Sequence, residues 1–283
     1  MATTLDQIVA TVRQRVEESK QLLPLRELAE RVDGLDRPLR GFRKALLAAS
    51  EQGIAVIAEL KKASPSRGVL RGSYPVGILA NQYLQGGAAA LSVLTEEKYF
   101  QGSLQHLVEA SAATDLPCLR KDFTVDEYQL YEARLYCADA VLLIAAVLPD
   151  PLYGTLYQKA CELGLDVVCE AHNEEELART VAIGADIIGV NSRDLKNFAI
   201  DLQTHVKLAP HLPTSALKVA ESGITCGRDV RGLRGLGYQA FLVGESLMKT
   251  DDPGAALAQI IGDAKAPPLG AIGVPAWTTG TKD

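Results

Sequence analysis

Much of what would place this chain quickly is missing from it. No apolar run is long enough to span a bilayer. The N-terminus, MATTLDQIVATVRQRVEESK, interleaves charge with apolar residues and has no signal-peptide core. There is no basic excess: net charge is -6 and the sequence pI is about 5.4. That argues against nucleic acid and against an anionic membrane surface as partners, although a local basic cluster could still take an anionic substrate. There is no C-x-x-C. The five cysteines, Cys118, Cys137, Cys161, Cys169 and Cys226, are scattered, and four sit in apolar surroundings. Buried, reduced thiols in a cytoplasmic protein are therefore expected.

What is present is ordinary in bulk and regular in detail. Of 283 residues 47% are hydrophobic and 23% charged, enough chain to bury a large core. Several segments share one pattern: QGGAAALSVLTE, YCADAVLLIAAV, ELGLDVVCEA, AIGADIIGVNSRD and GLGYQAFLVGES. A helix-like stretch ends at Gly or a small residue, as a helix C-cap requires, and a short β-rich run follows. The run is apolar on consecutive residues, as in strands buried on both faces of a parallel sheet.

This pattern places strands at Ala55–Glu59, Ala90–Thr95, Cys118–Lys121, Ala140–Ala145, Asp166–Glu170, Ile187–Asn191, Lys218–Glu221 and Ala240–Gly244. Helical patterns fill the gaps, such as the one opening at Asn173, with Glu174 to Glu176 in its first turn. Eight strand–helix units in about 210 residues match the α/β class and the (β/α)8 barrel. An open doubly wound sheet is the competing fold. It is disfavoured because no G-x-G-x-x-G follows the first strand. Residues 1–53 read as a helical extension, built from LDQIVATVRQRVEESK and RPLRGFRKALLAASEQG, that could cap the barrel bottom or reach over its top. Residues 54–263 then form the barrel. The Pro- and Gly-rich residues 264–283 read as a mobile tail.

Barrel chemistry gathers at the C-terminal ends of the strands. Strand one ends on Glu59 and Lys61, then Ser64; strand three on Lys121, Asp122 and Phe123; strand five on Glu170. Strand six ends on Asn191 and Arg193, strand seven on Glu221, Ser222 and Gly223, and strand eight on Gly244, Glu245 and Ser246. Any one of these could be a solvated surface charge worth little. Six of eight strands ending so points to one site, where clustered charges shift pKa values into useful ranges. The turns after strands seven and eight are the usual phosphate cradle of such barrels. Histidines His106, His172, His205 and His211 show no metal-ligand spacing, and His172 reads as a loop residue.

The segments AELKKASPSRG, LRKDF, CEAHNEEEL, GVNSRDL, AESGI and VGESLM, in this order, closely resemble the indole-3-glycerol phosphate synthase family of tryptophan biosynthesis. The resemblance runs from the N-terminal helix pattern to about Gly262. It implies a carboxy-lyase acting on a phosphorylated small molecule, without an organic cofactor, in the cytoplasm. It implies that Lys121 is the general acid on the substrate carbonyl and that Glu170 assists proton removal during dehydration. Lys61 and Glu59 would move with the loop after strand one. Asn191, Arg193, Glu221 and Ser222 would orient the substrate, with Phe123 on its aromatic ring. Ser64, Gly223, Gly244 and Glu245 would hold the phosphate. A lysine near other cations would have the lowered pKa that suits an acid. The loop Ala63–Gly68 is expected to close over the mouth.

Two alternatives remain. One is an isomerase-type phosphosugar barrel working with a Cys/Asp pair. Strand one ends in Glu and Lys, and alternation turns Cys169 away from Glu170's face. The other is a catalytically silent barrel kept as a scaffold, which would have no physical need of buried charge. Such a barrel can work as a monomer, so no dimer is assumed.

Overall fold

The computed structural model describes residues 3–196 and 198–265. Eight strands close into a barrel: β1 (Ala55–Leu60), β2 (Ala90–Leu94), β3 (Cys118–Lys121), β4 (Ala140–Ile144), β5 (Asp166–Ala171), β6 (Ile187–Asn191), β7 (Leu217–Glu221) and β8 (Ala240–Val243). Every barrel pairing is parallel, and β1 closes the ring on β8 with Ala55 opposite Ala240. Each strand end lies within one residue of its expected position. The consecutive apolar residues are explained directly: Val56, Ile57 and Ala58 are all fully buried, between barrel interior and helices.

Three helices precede the barrel: α1 (Thr4–Leu22), α2 (Leu25–Asp33) and α3 (Phe42–Gln52). The strands then alternate with α4 (Val76–Gln85), α5 (Leu104–Ala113), α6 (Tyr128–Leu135), α7 (Asp150–Glu162), α8 (Glu174–Ala182), α9 (Gln203–Leu208), α10 (Gly227–Gly235), α11 (Glu245–Met248) and α12 (Pro253–Lys265). The quoted helix-to-strand turns each contain a left-handed residue: Gly87, Cys137, Gly164, Gly184 and Gly237. Asn173 caps α8 as expected, its side chain accepting from the Glu176 N–H. Ala264 and Lys265, expected to open a mobile tail, instead close α12. The rest of the tail lies outside the described residues.

The N-terminal segment goes to both ends of the barrel. Residues 37–43 serve the bottom. Arg37 and the Arg40 N–H bind Asp139, just before β4, and the Arg43 N–H binds Asp166, the first residue of β5. Helix α1 serves the top, where Arg15 pairs with Asp122 at 2.8 Å and Lys20 with Asp126 at 2.7 Å. It is held by an apolar stripe, Ile8, Val12 and Val16, one helical turn apart and buried. Each such side chain stabilises by about 1.5–3 kcal/mol. The short α2 escapes the sequence pattern because only Leu28 and Val32 are buried on it.

One expectation needs correction. Only Cys118 and Cys169 are buried; Cys137 is half-buried, and Cys161 and Cys226 are exposed. Apolar neighbours in sequence do not bury a thiol on the outer side of a surface helix. The turn expected after β1 is present. Ala63–Ser64 pairs with Gly68–Val69 in a tight antiparallel hairpin, and the Ala63 N–H donates to the Phe100 carbonyl at 3.2 Å.

Candidate active site

Strand β3 sends consecutive side chains to opposite faces. Arg120 points outward. Its Nη1 donates to the Gln129 carbonyl at 2.7 Å, its Nη2 to Glu132 at 3.0 Å and Asp122 at 3.3 Å, and its Nε to Thr95 at 3.3 Å. Lys121 points into the barrel mouth. Its Nζ donates to Glu170 Oε2 and to Glu221 Oε2, both at 2.8 Å. Those carboxylates come from β5 and β7, so three strands converge on one ammonium. On β1, Glu59 Oε1 accepts from Lys61 Nζ at 2.6 Å.

The electrostatics differ from expectation. Lys121 has no cation beside it to lower its pKa. Burial works in that direction, but Glu170, Glu221 and Glu59 outweigh it and hold the lysine pKa well above its ordinary value. Burial likewise opposes ionisation of Glu170, yet Lys121 and then His172 keep its pKa well below the usual carboxylate range. Glu221 goes the other way. Burial raises it, Lys121 offsets part, the Glu170 charge adds to the rise, and the result is about 7. Glu221 Oε1 has no hydrogen-bond partner. The mouth thus holds a fully loaded acid, an ionised carboxylate and a carboxyl near its titration point.

Two close approaches make room for these carboxylates. A Cβ added to Gly189, on β6, would lie 2.2 Å from Glu221 Oε1. One added to Gly244, after β8, would lie 2.5 Å from Glu59 Oε1. Glycine at both positions lets the acid side chains lie flat against backbone.

A cavity of about 410 Å³ opens over this cluster. Every site residue expected from the sequence lines it: Glu59, Lys61, Ser64, Lys121, Phe123, Glu170, Asn191, Arg193, Glu221, Ser222, Gly223, Gly244 and Glu245. One side of the cavity is apolar, with Phe100 and Phe123 at a centroid distance of 6.3 Å and Leu142 and Ile144 below. Ser222 and Gly223 both have positive φ, 68° and 78°. A serine in that conformation is strained and marks a shaped turn. Ser64 Oγ is buried without a partner.

Sequence reasoning named Arg193 but missed the two cations that join it at the rim. Glu245 is ringed by Arg193 at 3.2 Å, Arg67 at 3.3 Å and Lys249 at 2.7 Å. Three cations around one carboxylate leave excess positive charge beside Ser64, Gly223 and Gly244. Arg67 belongs to the hairpin and Lys249 to the turn after α11, too far apart in sequence to read as a cluster. It also set aside His172 as a loop residue. Its Nε2 lies 3.2 Å from Glu170 Oε1 and its Nδ1 2.9 Å from Glu176. The spacing Glu170, His172, Glu176 was the available signal, since strand alternation puts residues 170 and 172 on one side. Among the described residues, no group of three His, Cys, Asp or Glu is placed to hold a metal ion.

The family model described as indole-3-glycerol phosphate synthase matches residues 5–260. The chain belongs to the indole-3-glycerol phosphate synthase family. A protein of that name from Koribacter versatilis is 47% identical over 262 residues, covering 93% of this chain and 100% of the relative. The indole-3-glycerol phosphate synthase of Burkholderia vietnamiensis is 45% identical over 261 residues, covering 92% and 99%. That of Chromobacterium violaceum is 45% identical over 262 residues, covering 92% and 98%. Among solved structures, 3-hexulose-6-phosphate synthase from Salmonella typhimurium superposes with TM-score 0.60 at 13% identity, covering 74% of this chain and 98% of that one. Thiamine phosphate pyrophosphorylase from Pyrococcus furiosus gives 0.56 at 17%, covering 76% and 96%. These two likenesses speak for the barrel fold alone. No helix among the described residues is long and apolar enough to cross a membrane.

Proposed function

We propose that this protein converts 1-(2-carboxyphenylamino)-1-deoxyribulose 5-phosphate to indole-3-glycerol phosphate, with loss of CO2 and water. The observation that carries this reading is the Lys121 ammonium held between Glu170 and Glu221 at the floor of a cavity with an apolar wall and a cationic rim. That gradient matches a substrate with an aromatic ring at one end and a phosphate at the other. The cations Arg193, Arg67 and Lys249 face the phosphate, with Ser64 and the backbone at Gly223, Gly244 and Glu245. Phe123 and Phe100 face the aromatic ring.

The steps follow from the charges. The aryl carbon bearing the carboxylate attacks the ketone carbon, pushed by the lone pair of the amino nitrogen on the ring. A carbon–carbon bond forms, and the carbonyl oxygen takes the Lys121 proton. Carboxylates around Lys121 guarantee that the proton is present when substrate arrives. The carbon–carboxylate bond then breaks, its electron pair restores the aromatic ring, and CO2 leaves. The new hydroxyl departs as water with a proton from Lys61, while Glu170 takes a proton from the adjacent methylene. Both acid and base are needed for that step, and the site offers both. Glu59 orients Lys61, and Asn191, Ser222 and Glu221 orient the substrate. Closure of the hairpin at Ala63–Gly68 brings Lys61 into place and excludes water. The Arg67–Glu245 ion pair is the contact across which the hairpin reaches the rim. The protein acts in tryptophan biosynthesis on this reading, and the silent-scaffold and isomerase alternatives are not favoured.

The test is indole fluorescence when purified protein meets this substrate, with Lys121→Met beside it. Signal from the wild type and none from the variant supports both the reaction and the acid. Silence from a folded wild type overturns the reaction; equal signal from both removes Lys121 from its role.

A further inference from the structure

One charged side chain near the mouth has no part in this scheme. His172 follows β5 and does not line the cavity, yet its Nε2 lies 3.2 Å from Glu170 Oε1. Its Nδ1 and its backbone N–H both meet Glu176 Oε2 at 2.9 Å. Glu176 is fixed in turn, exchanging hydrogen bonds with Asn173 at the start of α8. Each Glu170 oxygen therefore faces one cation: Lys121 donates to Oε2 inside the cavity, and the His172 ring lies 3.2 Å from Oε1 outside it, as a charge contact without hydrogen-bond geometry.

We propose that His172 is a positioning residue for Glu170, anchored by Glu176, which keeps Glu170 charged and aimed after the Lys121 proton has gone to substrate. The proposal rests on reading Glu170 as the base of the dehydration step. Two carboxylates, Glu170 and Glu221, share one ammonium, and Glu59 bears on it from β1. When Lys121 becomes neutral, that shared cation is lost and the carboxylates it held become harder to keep charged. His172 is the cation that remains beside Glu170, and of the two carboxylates it meets Glu170 alone. So Glu221, from β7, is the carboxylate left without a cation, and Glu170 stays charged as the base. Outside the cavity the imidazole meets the Glu176 carboxylate, from α8. Burial opposes charge on the ring, but Glu170 and Glu176 outweigh it and raise its pKa to about 10. The imidazole is thus a standing cation at neutral pH.

The experiment is the pH dependence of kcat/KM for His172→Gln beside the wild type, with the carboxyphenylamino-deoxyribulose phosphate as substrate. Glutamine keeps a donor toward Glu170 and removes the charge. Turnover near neutral pH should fall on the order of tenfold. The acidic limb, set by the Glu170–Glu221 pair, should move up by roughly one pH unit. A role confined to capping α8 would move thermal unfolding and leave that limb in place, and an unmoved limb overturns the proposal. Should His172→Gln fail to fold, Glu176→Gln leaves the ring contact intact and weakens its charge. It should move the limb the same way by less, and an unmoved limb is again decisive against. Nitrogen NMR of the wild-type imidazole needs no activity at all. A ring protonated at about pH 8 supports the proposal, and one neutral at about pH 7 overturns it. A wild type that forms no indole defeats the proposed reaction, while the ring titration still decides whether His172 holds Glu170 as a cation.

Discussion

Arg120 and Lys121 are neighbours on one strand, and each anchors a buried cluster of charge. Around Arg120 every demand is met. Its three nitrogens all donate, and Asp122 accepts from Arg15, Thr95, Arg120 and the Phe123 N–H. Burial would raise the Asp122 pKa, but Arg15 and Arg120 lower it overall. Around Lys121 the demands are not met. Two buried carboxylates compete for one ammonium, Glu221 keeps an oxygen without a partner, and its pKa is pushed up. The outward cluster joins α1, β3 and α6 into one wall. The inward cluster has been left unsettled, and a substrate brings the groups that settle it. Buried charge supports structure where it is balanced and chemistry where it is not.

The largest test of this contrast is Lys121→Arg. The guanidinium keeps both ion pairs but cannot release a proton near neutral pH. Turnover should collapse by about 10²–10⁴, while substrate analogues still bind and thermal unfolding barely moves. Retained turnover would make the inward cluster another structural wall. Arg120→Met should do the reverse. It leaves Glu132 and part of Asp122 unpaired in the interior, which should destabilise by about 3–5 kcal/mol in urea unfolding. The protein that remains folded should keep most of its turnover. If turnover vanished with stability intact, the two clusters would be one machine.

Glu221→Gln sharpens the comparison further. It relieves like-charge crowding and keeps a contact to Lys121. Stability at about pH 8 should therefore drop by less than about 1 kcal/mol, where the same change at a balanced ion pair would do more damage. Turnover should still fall on the order of a hundredfold. The smallest effect is a pH dependence. The His172 pKa rises from 6.5 to about 10 on folding. Its contribution is fully present below pH 6.5 and is lost as pH climbs toward 10. Unfolding free energy should decline over that window by about 1–2 kcal/mol more in the wild type than in His172→Gln. Parallel curves would mean the ring is not charged in the folded protein.

The two clusters were unequally legible in the sequence. All eight strands could be placed because strands buried on both faces spell consecutive apolar residues, and their ends could be read because charge there has no place in a core. That fixed which residues meet at the mouth, and all thirteen line one cavity. It did not fix what each one faces. Lys121 was expected among cations, but its partners, Glu170 and Glu221, lie 49 and 100 residues away and reach it only through barrel closure. Arg67 and Lys249 sit on connecting segments without periodicity, so nothing in their neighbourhoods announced a shared carboxylate. The Arg120 cluster was invisible for a related reason. Its members, Arg15, Asp122 and Glu132, come from three elements that meet only when α1 docks.

Gly189 sets a limit on how this protein can change. Any side chain there would begin 2.2 Å from the Glu221 carboxylate. A side chain at this position would therefore have to displace the Glu221 carboxylate from where it meets Lys121. The constraint runs one way: Glu221 can be replaced by a smaller residue with Gly189 unchanged, but a side chain at 189 needs Glu221 to move or go first.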